Sequence, residues 1–484
     1  MRRPDRGAER PGDISHDAGG PAESADSADS AASGERDRWT LVAVAGVLAF
    51  VAMLDMNIVN VALADISDSL DVSARTAQWA ALGYQISVVS LLLPVGRWLD
   101  RVGARSALLT ATTGFAVCSA LAALAPWAGW LIAARLAQGV FGAVLFVLMP
   151  VLAIRSVRPE ARGRAMSVPA TLGPLGAVTG PALGGLLIDH FGWRSVLLVK
   201  IPFCVLALVI AWRAMPRGGG LRAPDRRSVA DAVLVATGVA SLLLALTLAS
   251  GGLPWLSLVA VAVPPLWWWL RGPGGRPVTG ALRTGGLLQA HGAVLALAAG
   301  FAAMHYVVAL HLQRDDGLSA TATGLTVLAF PLGMGLAGPL GGRLADRFAP
   351  RPVAIAGATI TAAGLLLLVP LGEDWSAPQV AWRLALAGAG MGLNGGPTQA
   401  LVMGAAPAEL AATVGSTVQL ARSLGFTLGP ALATAVWGMT DSAGAALGLA
   451  AAAACLGVPL LAWSGARPAP RPEKTTDAAP AAHN

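Results

Sequence analysis

Gly96-Arg-Trp-Leu-Asp-Arg-Val-Gly-Ala-Arg105 and Gly342-Arg-Leu-Ala-Asp-Arg-Phe-Ala-Pro-Arg351 are two copies of one pattern, 246 residues apart. Each joins two long apolar runs. The offset recurs nearby: Arg135 matches Arg383 at 248 residues, and Gly180-Pro-Ala matches Gly429-Pro-Ala at 249. Matches at almost one spacing indicate that a unit of six apolar segments is duplicated, with an additional pair of segments between the copies.

Working outward from these copies, the chain holds fourteen apolar stretches, roughly 40–63, 77–95, 106–125, 128–150, 165–188, 193–213, 229–250, 254–270, 286–313, 320–341, 353–371, 378–403, 410–437 and 443–463. About 20 apolar residues cross a bilayer as a helix. Lipid offers no hydrogen-bond partner to an open strand, so such runs are helices. The expected fold class is therefore all-α integral membrane, with 14 transmembrane helices: a six-helix bundle at 39–215, an inserted helix pair with its flanking loops at 216–284, and a second six-helix bundle at 285–463. The polar ends, 1–38 and 464–484, lack large apolar residues and are expected to be disordered tails. The first has no apolar centre of the kind a signal peptide needs. Parallel six-helix repeats place a transport site between the halves.

Composition agrees with this class. Of 484 residues 55% are hydrophobic and 13% charged, with mean hydropathy +0.63. A soluble domain carries about 25% charged residues. A soluble enzyme, a disordered regulator and a secreted disulfide scaffold are thereby excluded. Cys118, Cys204 and Cys455 lie far apart in apolar runs and suit core packing; no disulfide, metal or cofactor site is expected. The net charge of +7 does not call for nucleic acid, because the arginines sit in short loops. With the N-terminus in the cytoplasm, the tails and even-numbered loops hold 27 of the 34 Lys and Arg, and the odd-numbered loops hold three, Arg75, Arg194 and Arg314. Positive loops stay inside. Both termini are thus expected on the cytoplasmic side of the cell inner membrane.

Asp55 is the one acidic residue deep within a span. A charge there is costly, and intramembrane carboxylates usually serve ion pathways. Loss of water disfavours its charged form, which suits it to taking up and releasing protons; a hydrogen-bonded structural aspartate is the alternative. Asn57 and Asn60 share a helix face and are candidates for a common cavity. Arg135 lies about 12 Å into the fourth span at about 1.5 Å per residue, the depth of Asp55, so the two can pair; the pair couples protons or is purely structural. Gly173, Gly176, Gly180 and Gly184 form one stripe on the fifth span that permits close helix contact. Pro174 and Pro181 permit bending there. In the loop motif, Asp100 suits the positive N-terminal end of a neighbouring helix. Arg101 and Arg105 suit helix ends and anionic headgroups. Simple loop positivity does not explain the aspartate or its copy at Asp346 and Arg347.

Together these residues resemble the major facilitator superfamily, specifically its fourteen-span drug:proton antiporters of the EmrB/QacA type. The resemblance runs from about residue 40 to 463 and rests on Leu54-Asp-Met-Asn-Ile-Val-Asn-Val-Ala-Leu63, on the Gly96–Arg105 motif, on Arg135-Leu-Ala-Gln-Gly139 and on Gly173-Pro-Leu-Gly-Ala-Val-Thr-Gly-Pro-Ala-Leu-Gly-Gly185. It implies drug:proton antiport, with the glycine motif of the fifth span linked to antiport and to sealing the cavity; Asp55 and Arg135 are the proton-coupling candidates and Gln138 a cavity or substrate candidate. Arg422 opens an Arg-Ser-Leu-Gly similar to a family pattern and is a cavity candidate. His305 falls near the repeat position of Asp55, as a packed histidine or a cavity group. Lys200 departs from the family, which usually has Asn before the proline, here Pro202; it is expected to snorkel toward the outer face.

The chain has no Gly-Lys-Ser/Thr phosphate loop, since Lys200 follows Val199 and Lys474 follows Glu473. Its energy source is then an ion gradient. The expectation is a non-enzymatic, monomeric, proton-coupled exporter of lipophilic drugs or antibiotics, neutral or monovalent cations, with protons and the bilayer as partners. An exporter of one self-made metabolite is the alternative, and a passive channel or membrane-embedded enzyme a distant one.

Overall fold

The computed structural model describes residues 37–463 apart from 216–219, 222, 224, 249–252, 284–285, 372–374 and 407. The two tails therefore lie almost wholly outside the described residues. Every described element is helical. The first half comprises α1 (Trp39–Val61), α2 (Leu63–Ser69), α3 (Ala74–Leu99), α4 (Ala104–Ala123), α5 (Ala128–Arg155), α6 (Arg162–Phe191), α7 (Trp193–Leu198) and α8 (Ile201–Ala214). Next come α9 (Arg226–Leu248), α10 (Ser257–Arg271) and α11 (Arg276–Arg283). The second half comprises α12 (Leu287–Arg314), α13 (Ala320–Val327), α14 (Ala329–Phe348), α15 (Pro350–Leu366), α16 (Ala377–Ala405), α17 (Ala411–Thr440) and α18 (Ala443–Trp463).

Among the described residues, nine helices are long and apolar enough to cross a membrane, or ten if the Pro159–Pro181 and Leu183–Phe191 segments, bent by 41°, count as one span. The nine include Trp193–Ala214 and Ala322–Phe348, each one span despite a local break in its helix. The 193–213 span breaks after α7, and Pro202 opens α8, where a missing N–H costs nothing. The 320–341 span breaks at Leu328, three residues before Pro331. α10, with 15 residues and Pro264 and Pro265 inside, is about 22 Å long at about 1.5 Å per residue, short of a bilayer core of about 30 Å. α16 and α17, at 29 and 30 residues, are long enough but carry Asn394, Gln399, Thr413, Ser416 and Gln419, which lower their hydropathy.

The two halves share one packing pattern. α1 packs on α6 as α12 packs on α17; α3 packs on α5 as α14 packs on α16; α4 packs on α5 as α15 packs on α16. One apolar cluster centres on the first half and extends to Ala400, Met403, Ala411 and Ala412 of the second, and another lies within the second half. Backbone contact between paired helices depends on glycine. A Cβ on Gly176 would strike the Phe50 carbonyl of α1, and one on Gly429 would strike the Ala299 carbonyl of α12. Between halves, α6 meets α14 and α16, and α17 meets α3 and α5. α9 lies along α3 and also touches α17; the Arg97–Asp231 ion pair at 2.8 Å ties α9 to α3.

Candidate functional site

Within the first half, α1, α3, α5 and the α7–α8 break converge on a buried charged cluster. Asp55, Arg135, Gln138 and Lys200 are all 0% exposed. Arg135 Nη1 lies 2.9 and 2.8 Å from the two Asp55 carboxylate oxygens and donates to Gln138 Oε1 at 2.7 Å. Its Nε donates to the Ala80 carbonyl at 2.9 Å, and its guanidinium stacks 4.4 Å over the Tyr84 ring. The Lys200 ammonium pairs with Asp55 Oδ1. One carboxylate thus sits between two cations. Arg135 Nη2, Gln138 Nε2 and the Tyr84 hydroxyl have no protein partner. A buried network with open valences of this kind is costly and poised to rearrange.

Lys200 does not snorkel. The break at Val199 turns its side chain inward, and the Asp55 carboxylate offers a better partner than a distant interface. The signal for this was depth: Arg135 and Lys200 are each eight residues into their segments when counted from Ala128 and Trp193. Tyr84 and the Ala80 carbonyl carried no such signal.

The other candidate cavity residues stand apart from this cluster. Asn57 is half-buried and donates to its own helix at Met53 O, 2.9 Å; Asn60 is exposed and reaches Met56 O at 3.4 Å. His305, on α12, sits 5.8 Å from the Phe301 ring, and its Nδ1 has no partner. Phe301 in turn packs on Phe330 and Phe426, at 4.8 and 5.8 Å. Half-buried Arg422 donates to Gln399 Oε1 at 3.5 Å. Arg383, the repeat partner of Arg135, donates to Gln379 O of its own helix at 2.6 Å and stacks over Trp375.

The glycine stripe lies against α1. Gly173 faces Met53, Gly176 faces Phe50, and Gly180 and Gly184 face Ile58. Pro174 is half-buried and Pro181 exposed. At the far end of the bundle, Asp100 caps α17: its carboxylate accepts from Ala412 N at 2.9 Å, Thr413 N at 3.0 Å and the Thr413 hydroxyl at 2.6 Å. Burial raises the Asp100 carboxyl from its ordinary value of 3.8, against the pull of those donors. Gly96 is needed beneath this cap, where a Cβ would meet Ser416 and come within 2.8 Å of the Ala412 carbonyl. Asp346 does the same for α6, accepting from Gly163 N at 2.8 Å, Arg164 N at 3.3 Å and Arg164 Nε at 2.7 Å. Arg105 donates to Trp212 O at 3.0 Å, while Arg101 and Arg347 are exposed, Arg347 lying over Phe348. Sequence reasoning did not single out His291, whose Nε2 meets Thr417 Oγ1 at 2.8 Å, or His311, whose Nδ1 meets Asp315 at 2.6 Å. Among the described residues no group of His, Cys, Asp and Glu is arranged to hold a metal ion.

With this geometry in place, comparison with known proteins is informative. The family model described as Major Facilitator Superfamily matches residues 45–283 and 292–483. The multidrug resistance protein Stp of Mycobacterium tuberculosis is 30% identical over 404 residues, covering 81% of this chain and 74% of that protein. The methyl viologen resistance protein SmvA of Salmonella typhimurium is 28% identical over 421 residues, 82% and 81% of the two chains. The tetracenomycin C resistance and export protein of Streptomyces glaucescens is 30% identical over 403 residues, 81% and 74%. Among solved structures, the human organic anion transporter MFSD10 superposes with a TM-score of 0.65 at 18% identity, over 87% of this chain and 99% of that one. FucP in its outward conformation gives 0.62 at 13%, over 87% and 98%. At these identities the structures speak for the fold alone.

Proposed function

The chain belongs to the major facilitator superfamily, a family of transporters rather than enzymes, and on that premise we propose that it is a proton-coupled antiporter exporting lipophilic drugs or antibiotics across the cytoplasmic membrane. The observation that carries this reading is the buried Asp55–Arg135 pair, an ionisable group held at depth within a transport fold. The absence of a phosphate loop from the sequence and the resistance and efflux named for its relatives support it. We extend the reading to fourteen spans, two six-helix bundles at 39–215 and 285–463 and an inserted pair between them, with both termini cytoplasmic, on the strength of the arginine distribution.

In this reading the Asp100 and Asp346 caps close the cytoplasmic end, so the arrangement is open outward. The Asp55 cluster itself is closed to water in this arrangement; when it opens outward, protonation of the cluster releases substrate, and inward opening to a lower proton concentration removes that proton and reloads it. A proton crossing 100 mV supplies about 2.3 kcal/mol. Because Asp55 is already held by two cations, the site suits neutral or singly charged lipophilic molecules over dications. A second reading, export of one self-made metabolite, is favoured by the likeness to the tetracenomycin C export protein.

A drug panel in a pump-deficient host identifies substrates, and uptake of the best one into inverted vesicles tests the coupling. Uptake driven by an imposed pH gradient, acid inside, and abolished by a protonophore is the expected result. Flux indifferent to the gradient would reduce the chain to a passive channel. Reporter fusions at residues 1 and 484 test the topology; an external C-terminus would sink the fourteen-span arrangement.

A further inference from the structure

The role of Lys200 goes unexplained by antiport through Asp55 and Arg135 alone. It stands at the break between α7 and α8, fully buried, with its ammonium on Asp55 Oδ1. Asp55 is meanwhile held on both oxygens by Arg135, which is itself anchored by the Ala80 carbonyl and Gln138. With every group charged, the cluster holds two positive charges and one negative, all out of contact with water. An uncompensated charge in such surroundings is strongly unfavourable, and proteins relieve it by neutralising a group. Arginine does not give up its proton in proteins. Protonating Asp55 would leave both cations without a counter-charge and so enlarge the surplus. Loss of a proton from the lysine leaves a balanced cluster: the Asp55–Arg135 pair intact, and a neutral amine still able to donate an N–H to Oδ1.

We propose that the exchangeable proton of this cluster sits on Lys200 Nζ, and that Asp55 remains a carboxylate throughout and serves as the counter-ion. The proposal rests on the antiport reading and names the atom that carries the proton. In the step, one N–H bond at Nζ breaks, its electron pair stays on nitrogen, and the proton passes to water admitted when the cluster opens. The ionisable groups on the surrounding elements do not compete for the role. The buried ones are Asp55 on α1, Tyr84 on α3, Arg135 on α5 and Cys204 on α8, while Arg75, Arg97, Arg155, Arg194 and Arg213 lie toward the ends of these helices. The other packed elements add Cys118 and the distal Arg105 on α4 and exposed Asp189 and His190 near the end of α6. Asp55 is the sole carboxylate of the buried cluster.

The sequence makes the test direct, because its lysines are only Lys200 and Lys474. Full-length protein labelled with 13C at the lysine Cε is reconstituted in lipid nanodiscs, and Lys474→Arg leaves a single signal. Infrared difference spectra between wild type and Asp55→Asn report the state of Asp55 in the same preparation. Across the pH range in which the protein stays folded, the Lys200 signal should shift between its ammonium and amine positions while Asp55 shows carboxylate bands only. A Lys200 signal fixed at the ammonium position, with or without a protonated-carboxyl band that Asp55→Asn lacks, overturns the proposal. Neither substrate nor gradient is needed, so this outcome is separable from failure of the antiport reading, which the vesicle assay decides.

Discussion

The two halves are built on one helix-packing plan and differ in where they keep charge. In the first half, Asp55, Arg135 and Lys200 form a closed, water-free ionic cluster. Near the corresponding places in the second, His305 has an unpartnered Nδ1 and lies beside Phe301, which packs on Phe330 and Phe426, and Arg383 donates to a carbonyl of its own helix. The helix contacts recur in both halves, where backbone approach through Gly176 and its repeat partner Gly425 tolerates little change. The ionic chemistry does not recur, because one buried charge needs a partner and both are lost together if either goes. One half thus holds a buried ionic cluster, and the other packs Phe301, Phe330 and Phe426 together.

This contrast makes its largest prediction at Asp55 and at His305, which falls near the repeat position of Asp55. Asp55→Asn keeps shape and hydrogen bonding without a negative charge, and pH-gradient-driven uptake in inverted vesicles should fall to the level of vesicles lacking the protein. His305→Asn should retain most of that uptake. Equal loss in both would dissolve the asymmetry between halves.

The glycine positions should behave alike. Gly176→Leu and Gly425→Leu each force a side chain into a backbone carbonyl, of Phe50 and Leu295 respectively, and overpacking of this kind costs about 1–3 kcal/mol even where neighbours relax. Transport should be severely reduced in both, with membrane levels on immunoblots largely kept. The milder Gly180→Leu, where a Cβ would lie 3.1 Å from Ile58 N, should also impair transport. Wild-type flux in any of them would show that the helix pair separates freely.

A smaller effect is expected at the caps. Hydrogen bonds to a charged acceptor contribute about 1.5–3 kcal/mol each when buried, and Asp100 and Asp346 are both partly exposed, which reduces this. Asp100→Ala and Asp346→Ala, which remove the acceptors altogether, should each shift the balance between closed and open caps by about tenfold, or about 1.4 kcal/mol. Pulsed electron resonance distances between labels on the two halves measure that balance. A shift in only one variant would mean that the two caps are not equivalent.

The smallest effect is a pH dependence confined to Asp100. Burial raises its carboxyl above the ordinary 3.8 in the closed cap. A group raised on closing binds its proton more tightly when closed, so its contribution is fully present below about 3.8 and fades as pH rises through the raised value. The same distance measurement should show mild acid favouring closure in wild type, and Asp100→Asn should flatten that slope. A slope unchanged in the variant would assign it to another group.

Much of this was legible in the residues themselves. Helix follows from long apolar runs in lipid, the duplication from the two Gly-x-x-x-Asp-Arg copies, and the common depth of Asp55 and Arg135 from counting turns. These are local properties: each depends on spacing along one segment, which the helix converts into distance at a fixed rise. The prolines that break the 193–213 and 320–341 spans were also visible, but whether a proline bends a helix or ends it depends on what neighbours replace the lost hydrogen bond. The partner of Lys200 lies 145 residues away in sequence, and only the packing of α8 on α1 and the turn at Val199 bring them together. Likewise the loop motif marks Asp100 as an acceptor, but the N–H groups that satisfy it, on Ala412 and Thr413, belong to the opposite half and are supplied by its docking. Pairings of this kind are decided by three-dimensional assembly, because the energy of a buried charge depends on every group within reach and not on its own helix.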